Sequence, residues 1–172
     1  MIPHEILEFI QGRYSHRTKK KDQYGEVFTP IELVDELVSH IPVKWTDSNT
    51  KILDPASGIG NFPVVIYYKL MDSLSKTIPE KKRRSKHIIN NMLFMVEIDT
   101  TNVKQCRELF KLIDPHATPN ISHCDFLLGI KEVPVNQLIP GKTYCFFSHT
   151  KKKQPQKRPR TWFGWRSRRP AV

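Results

Sequence analysis

The chain has 172 residues and a formal charge of +11, a size that supports one domain with a real core and gives no reason to expect a second. Its three cysteines, Cys106, Cys124 and Cys145, are too few and too widely spaced for a disulfide framework or a zinc site, so reduced thiols are expected and a metal centre is not. Charge interrupts the apolar residues near the N-terminus and no run approaches membrane-spanning length, so neither signal peptide nor membrane helix is expected and an intracellular, cytoplasmic location is.

The first predicted element is a helix, from the spacing of Ile6, Leu7, Phe9 and Ile10. Arg17-Thr-Lys-Lys-Lys21 follows as a solvated loop. Thr29, Pro30 and Glu32 have the pattern of an N-cap, an N1 proline and a capping-box acid, and Ile31, Val34, Val38 and Ile41 recur at the spacing of a helix face behind them. Ile52 and Leu53 then read as a short buried strand delivering Asp54 into a turn where Gly58 and Gly60 can take positive φ angles, before Phe62, Val64, Val65 and Ile66 begin a helix. Ligands of open α/β sheets bind at such carboxyl ends of strands. A dinucleotide fingerprint would need a third glycine where Pro63 stands, and Asp54 would repel a pyrophosphate; a carboxylate here suits a cationic group instead.

Lys81-Lys-Arg-Arg-Ser-Lys86 is expected as an exposed insertion. Leu93-Phe-Met-Val-Glu-Ile-Asp99 is an apolar run ending in acid, the pattern of a strand buried on both faces of a parallel sheet, and Glu97 at its end can accept two hydroxyl hydrogen bonds. Thr100 or Thr101 is the expected cap of a helix carrying Val103, Cys106, Phe110 and Ile113 on one face, stopped by Asp114-Pro115. Asn120-Ile-Ser-His-Cys-Asp-Phe126 reads as a further short strand ending near Asp125.

Asp54-Pro-Ala-Ser-Gly-Ile-Gly-Asn-Phe62 resembles motif I of the S-adenosylmethionine-dependent methyltransferases, with wording most like the N6-adenine DNA methyltransferases. Gly25-Glu-Val-Phe-Thr-Pro30 resembles their motif X, Glu97-Ile98 their motif II and Asp125-Phe126 their motif III, in the order of the gamma-type arrangement. The resemblance implies a partial Rossmann-like α/β fold that binds S-adenosylmethionine. It would place Phe28, Thr29 and Pro30 on the methionine side and Asp54 at the ammonium. Pro55, Ala56, Gly58, Gly60 and Phe62 would form the close backbone approach, with Glu97 at the ribose, Ile98 on the adenine ring, and Asp125 and Phe126 at the adenine edge. In intact relatives the partner is DNA and the reaction is methyl transfer to the amino group of a flipped adenine. Methyltransferases acting on RNA or protein share the first motifs, but the motif X stretch favours DNA.

The family's next element, Asn-Pro-Pro-aromatic, which orients the target nitrogen, is absent; Val133-Pro-Val-Asn136 and Gln154-Pro-Gln156 lack the double proline and the aromatic. No catalytic residue is therefore assigned, and inactivity of this chain alone is expected. Composition changes at the same place: beyond Glu132 lie ten Lys and Arg and no acid, so the basicity belongs to the tail. Three explanations stand for it. It is a disordered nucleic-acid-binding arm using Lys151, Lys152, Lys153, Arg158 and Arg160 with Trp162, Phe163 and Trp165 to stack, a nuclear signal, or the product of a reading-frame change near Tyr144 that truncates the fold before its catalytic motif. The expected organisation is an N-terminal helical segment (1–45), a Rossmann-like cofactor-binding domain (46–148) and a disordered basic tail (149–172). The rival function is a non-catalytic nucleic-acid-binding protein acting through that tail.

Overall fold

The computed structural model of the chain describes residues 1–14 and 29–126. Phe28, the basic run 17–21, Cys145 and the basic stretch 149–172, including Lys151, Lys152, Lys153, Arg158 and Arg160, lie outside the described residues.

The described elements run α1 (His4–Tyr14), α2 (Ile31–Ser39), β1 (Ile52–Asp54), α3 (Asn61–Ser73), α4 (Lys81–His87), one π-helical turn (Ile88–Met92), β2 (Leu93–Glu97), α5 (Thr100–Ile113) and β3 (Asn120–His123). All three strands are parallel, in the order β1-β2-β3, with Leu53 opposite Phe94, Met95 opposite Ile121 and Glu97 opposite His123. The chain is thus a mixed α/β fold, consistent with the partial Rossmann-like expectation.

Strand alternation divides the sheet's side chains between two apolar faces. Ile52, Leu93, Met95 and Ile121 join the main core, where α3 and α5 both pack on β2. Leu53 and Val96 point the other way, against Phe94, Cys124 and Phe126. A second helical layer completes the main core, since α1 packs on α5 through Ile6 and Ile10 and α2 packs on α3 through Val34 and Val38.

Two expected caps are corrected. Pro30, not Thr29, is the N-cap of α2, because its extended backbone (ψ 148°) holds the chain outside the helix and its carbonyl accepts the first helical bond from Val34 N at 2.9 Å. No side-chain capping bond forms there. At α5 the cap is Asp99 rather than a threonine: its carboxylate accepts from both Thr101 N (2.6 Å) and Asn102 N (3.2 Å), which one hydroxyl matches poorly.

The basic run 81–86, expected as an exposed insertion, forms α4 with two of its residues buried. Arg84 donates to the carbonyls of Ile78 (2.6 Å) and Pro79 (3.1 Å), closing the turn before its own helix. Ser85 joins three helices, because Tyr67 Oη donates to its hydroxyl at 2.9 Å and that hydroxyl donates to Asp114 Oδ2 at 2.8 Å. The π-helical turn has a partner as well. Asn120 Nδ2 shares its protons among the carbonyls of Ile89, Asn90 and Leu93 at 2.8–3.1 Å, tying the turn and the start of β2 to the start of β3.

The Ser85→Ala change removes the middle of the relay and strands a buried phenol. It is expected to destabilise the chain by about 2 kcal/mol, read as a lower midpoint in urea with an unchanged slope.

Candidate functional site

The carboxyl ends of the three strands form one edge of the molecule, and the loops leaving them are tied to one another. Asp54 ends β1, and its Oδ1 accepts from Ala56 N at 3.1 Å, which bends the chain at Pro55. Ser57 N then donates to Val96 O at 3.0 Å, fastening the loop to β2, and Gly60 N donates to Ser57 O at 2.9 Å, completing the turn.

Both glycines of that turn hold the left-handed region, Gly58 at φ +55° and Gly60 at φ +104°. Their surroundings differ. A Cβ on Gly58 would meet nothing within 4 Å, leaving its backbone open to a ligand, whereas one on Gly60 would stand 3.0 Å from Cys106 Sγ and 3.4 Å from Leu109 Cδ2. Gly60 is therefore needed twice, for its conformation and for the close approach of the loop to α5.

Glu97 holds the loops together. Its side chain is 6% exposed, yet it accepts three hydrogen bonds: Gly58 N on Oε2 at 2.8 Å, and Asp99 N (2.8 Å) and Asn102 Nδ2 (3.4 Å) on Oε1. Through them the end of β2 grips both the glycine turn and the start of α5. β3 adds two further ties, Cys124 N to Glu97 O at 3.1 Å and a hydrogen bond of 2.9 Å between His123 Nε2 and Ile98 O. The Ile98 side chain, 40% exposed, projects from a backbone pinned on either side.

Asp54 has the opposite character. Burial pushes its carboxyl up from 3.8 to about 6, against the lowering effect of the Ala56 amide, and the neighbouring Glu97 carboxylate adds to the rise. A cation placed here would relieve both acids. Burial likewise drives the Cys106 thiol well above its ordinary range, with Asp54 and Glu97 contributing, so beneath the loop it acts as packing and not as a nucleophile.

Of the residues singled out from sequence, Asp54, Pro55, Ala56, Gly58, Gly60 and Glu97 lie in one bonded cluster, with Ile98 on its rim. Thr29 is joined to it by Asn61, whose Nδ2 donates to Thr29 O at 2.9 Å, and the exposed Pro30 follows. Phe62 is half-buried against the main core, Asp125 is half-buried just past β3, and Phe126 packs on the far sheet face with Leu53 and Val96. Sequence reasoning missed Asn61, Asn102 and Asp99; the one available signal was an Asn directly after a glycine turn, at the start of a helix. Among the described residues no group of three or more His, Cys, Asp or Glu side chains could hold a metal ion, and no helix is long and apolar enough to cross a membrane.

The Glu97→Gln change keeps the shape but turns an NH2 group toward backbone amides. It is expected to cost about 2 kcal/mol or more of stability, measured by urea unfolding, since at most one side of the clasp can re-form.

A family model described as N-6 DNA Methylase matches residues 4–128. The chain is 37% identical over 75 residues, 41% of its length, to a Mycoplasma pneumoniae protein described as an uncharacterized adenine-specific methylase, of which the match spans 18%. It is 33% identical over 51 residues, 30% of its length, to alpha-aminoadipic semialdehyde synthase of Arabidopsis thaliana, of which the match spans 5%. The chain therefore covers less than a fifth of either curated relative. The family match takes in the glycine turn, Glu97 and Asp125 and extends over well more than half of the sequence, so the chain belongs to the N-6 DNA methylase family.

Proposed function

We propose that this chain is the S-adenosylmethionine-binding part of a DNA adenine N6-methyltransferase and that it does not methylate DNA alone. The observation that carries the reading is the pair of acids at the strand ends: Glu97 satisfied by three donors, and Asp54 pushed up to about 6 beside a turn whose Gly58 faces open space.

On this reading Asp54 binds the ammonium of the cofactor's methionine end. Pro55, Ala56, Gly58, Gly60 and Phe62 shape the wall beside it, and Thr29 and Pro30 face it from the other side; the same role is assigned to Phe28, which lies outside the described residues. Glu97 holds the ribose. Three donors already occupy most of the roughly four acceptor positions of a carboxylate, so a hydroxyl takes the last or displaces the Asn102 amide, the longest contact at 3.4 Å. Ile98 packs on the adenine ring, and Asp125 with Phe126 holds its edge. The cofactor supplies an electrophilic methyl group when bound. The sequence lacks the Asn-Pro-Pro-aromatic element that would orient the attacking nitrogen, which supports a cofactor-holding role separate from catalysis. The basic residues beyond Glu132 are then an accessory for nucleic acid, through Lys151, Lys152, Lys153, Arg158 and Arg160.

Asp54 sets the pH dependence. Its folded-state value lies above its ordinary 3.8, so the stability gained from its protonation is fully present below about 4 and is lost as pH rises through about 6. A cationic ligand needs the ionised form, so affinity runs the other way. Calorimetric titration with S-adenosylhomocysteine is expected to give constant affinity above pH 7 and a fall approaching tenfold per unit below about 6. Asp54→Asn is expected to weaken binding at neutral pH and flatten the profile; an unchanged affinity in that variant sinks the assignment. Incorporation of labelled methyl groups into duplex DNA by the chain alone would overturn the claim of inactivity.

A further inference from the structure

Asn61 stands where two segments meet, and neither the glycine turn nor α2 explains it alone. It is the first residue of α3, directly after the left-handed Gly60, and its side chain is buried at 7% exposure. Its amide does not cap its own helix. Instead Nδ2 reaches across 32 residues of sequence to the Thr29 carbonyl at 2.9 Å. That carbonyl is available because Pro30, in extended conformation, keeps Thr29 outside α2, whose first bond is accepted by Pro30 O. Behind this link α2 packs on α3 through Val34 and Val38. The packing fixes the helices side by side, while the Asn61 amide fixes the strand-like approach of Thr29 and Pro30 to the turn that follows Asp54.

We infer that Asn61 is a positioning residue that sets the gap between the Thr29–Pro30 segment and the Asp54–Gly60 turn, and so controls the affinity for the amino-acid end of the cofactor without touching its adenosine end. The inference rests on the proposed function, since it assigns the two walls of that gap to the methionine moiety. On that reading its chemistry is local: Asp54 and the glycine turn form one wall and Thr29 the other, whereas Glu97 ends β2, Ile98 follows it and Asp125 lies just past β3.

The decisive variant is Asn61→Asp. It is isosteric, and an acid in the first turn of a helix is favourable, while the cost of burying its charge at a position 7% exposed is read from the thermal midpoint. Ionised, it cannot donate to Thr29 O, and its carboxylate repels that carbonyl. Asn61→Ser, too short to reach Thr29 but well suited to a helix start, gives a second route to the same loss without new charge. The full chain and both variants would be titrated with S-adenosylhomocysteine and with 5′-methylthioadenosine, which lacks the amino-acid end, and their thermal midpoints compared.

The expected result is a loss of about tenfold or more in affinity for S-adenosylhomocysteine in both variants, with 5′-methylthioadenosine binding as in the unaltered chain. Equal weakening of both ligands would overturn the inference by showing general scaffolding, and unchanged binding of both would overturn it by showing that the link is idle. In these two cases the cofactor reading survives, because the unaltered chain still binds. Failure of the unaltered chain to bind either ligand would overturn that reading and this inference together.

Discussion

The buried carboxylate of Glu97 is the constraint on which the site edge depends. Taking an ionised acid out of water is costly unless donors replace the solvent, and here two backbone amides and a side-chain amide do so. Those donors belong to different loops. Gly58 follows β1 and Asp99 follows β2, so the requirement to satisfy one charge forces two crossover connections into a single unit. The glycine turn is thus shaped by its own positive φ angles and also by an acceptor 39 residues further along the chain.

Asp54 shows what the same chemistry does when it is left incomplete. It ends the neighbouring strand, but among the described residues the donor to its carboxylate is the nearby Ala56 amide alone, and its carboxyl is pushed up to about 6. The neighbouring Glu97 carboxylate adds to that rise in Asp54. The local field therefore favours a cation at Asp54. Such a field is a liability for the folded state at neutral pH and an asset for binding, a trade expected at functional positions.

The strongest sequence signals were those in which backbone and side chain made the same demand. Ile52, Leu53 and Asp54 with Gly58 and Gly60 defined strand and turn correctly, and the apolar run 93–97 gave β2, because short parallel strands are apolar on both faces and glycines mark positive φ. Helix starts were less legible. Thr29 and Asp99 each stand beside another plausible cap, and the winner depended on the extended Pro30 backbone and on two amides converging on one carboxylate, neither of which is local information. The run 81–86 misled for a different reason: six polar residues carry no apolar period, yet Ser85 is fixed by Tyr67 from α3 and by Asp114, the C-cap of α5. Asn61 offers no signal beyond its place after the glycine turn, and Asn102 none, because an amide's role is decided by where its partner lies in space.

The links through Glu97 and Asn61 bear on how binding and catalysis divide within the family's fold. Both join loops near the strand ends to one another, and both are made entirely within residues 29–102. The walls assigned to the cofactor thus take their shape without an element that orients a target base. Such an element acts on a different problem, the direction of approach of the attacking nitrogen, and its geometry depends on the substrate strand. On the proposed reading, a chain with the first set of constraints and without the Asn-Pro-Pro-aromatic tetrapeptide holds the cofactor without aiming an acceptor at it. Cofactor affinity and methyl transfer are then separable properties, and on the proposed reading this chain has the first without the second.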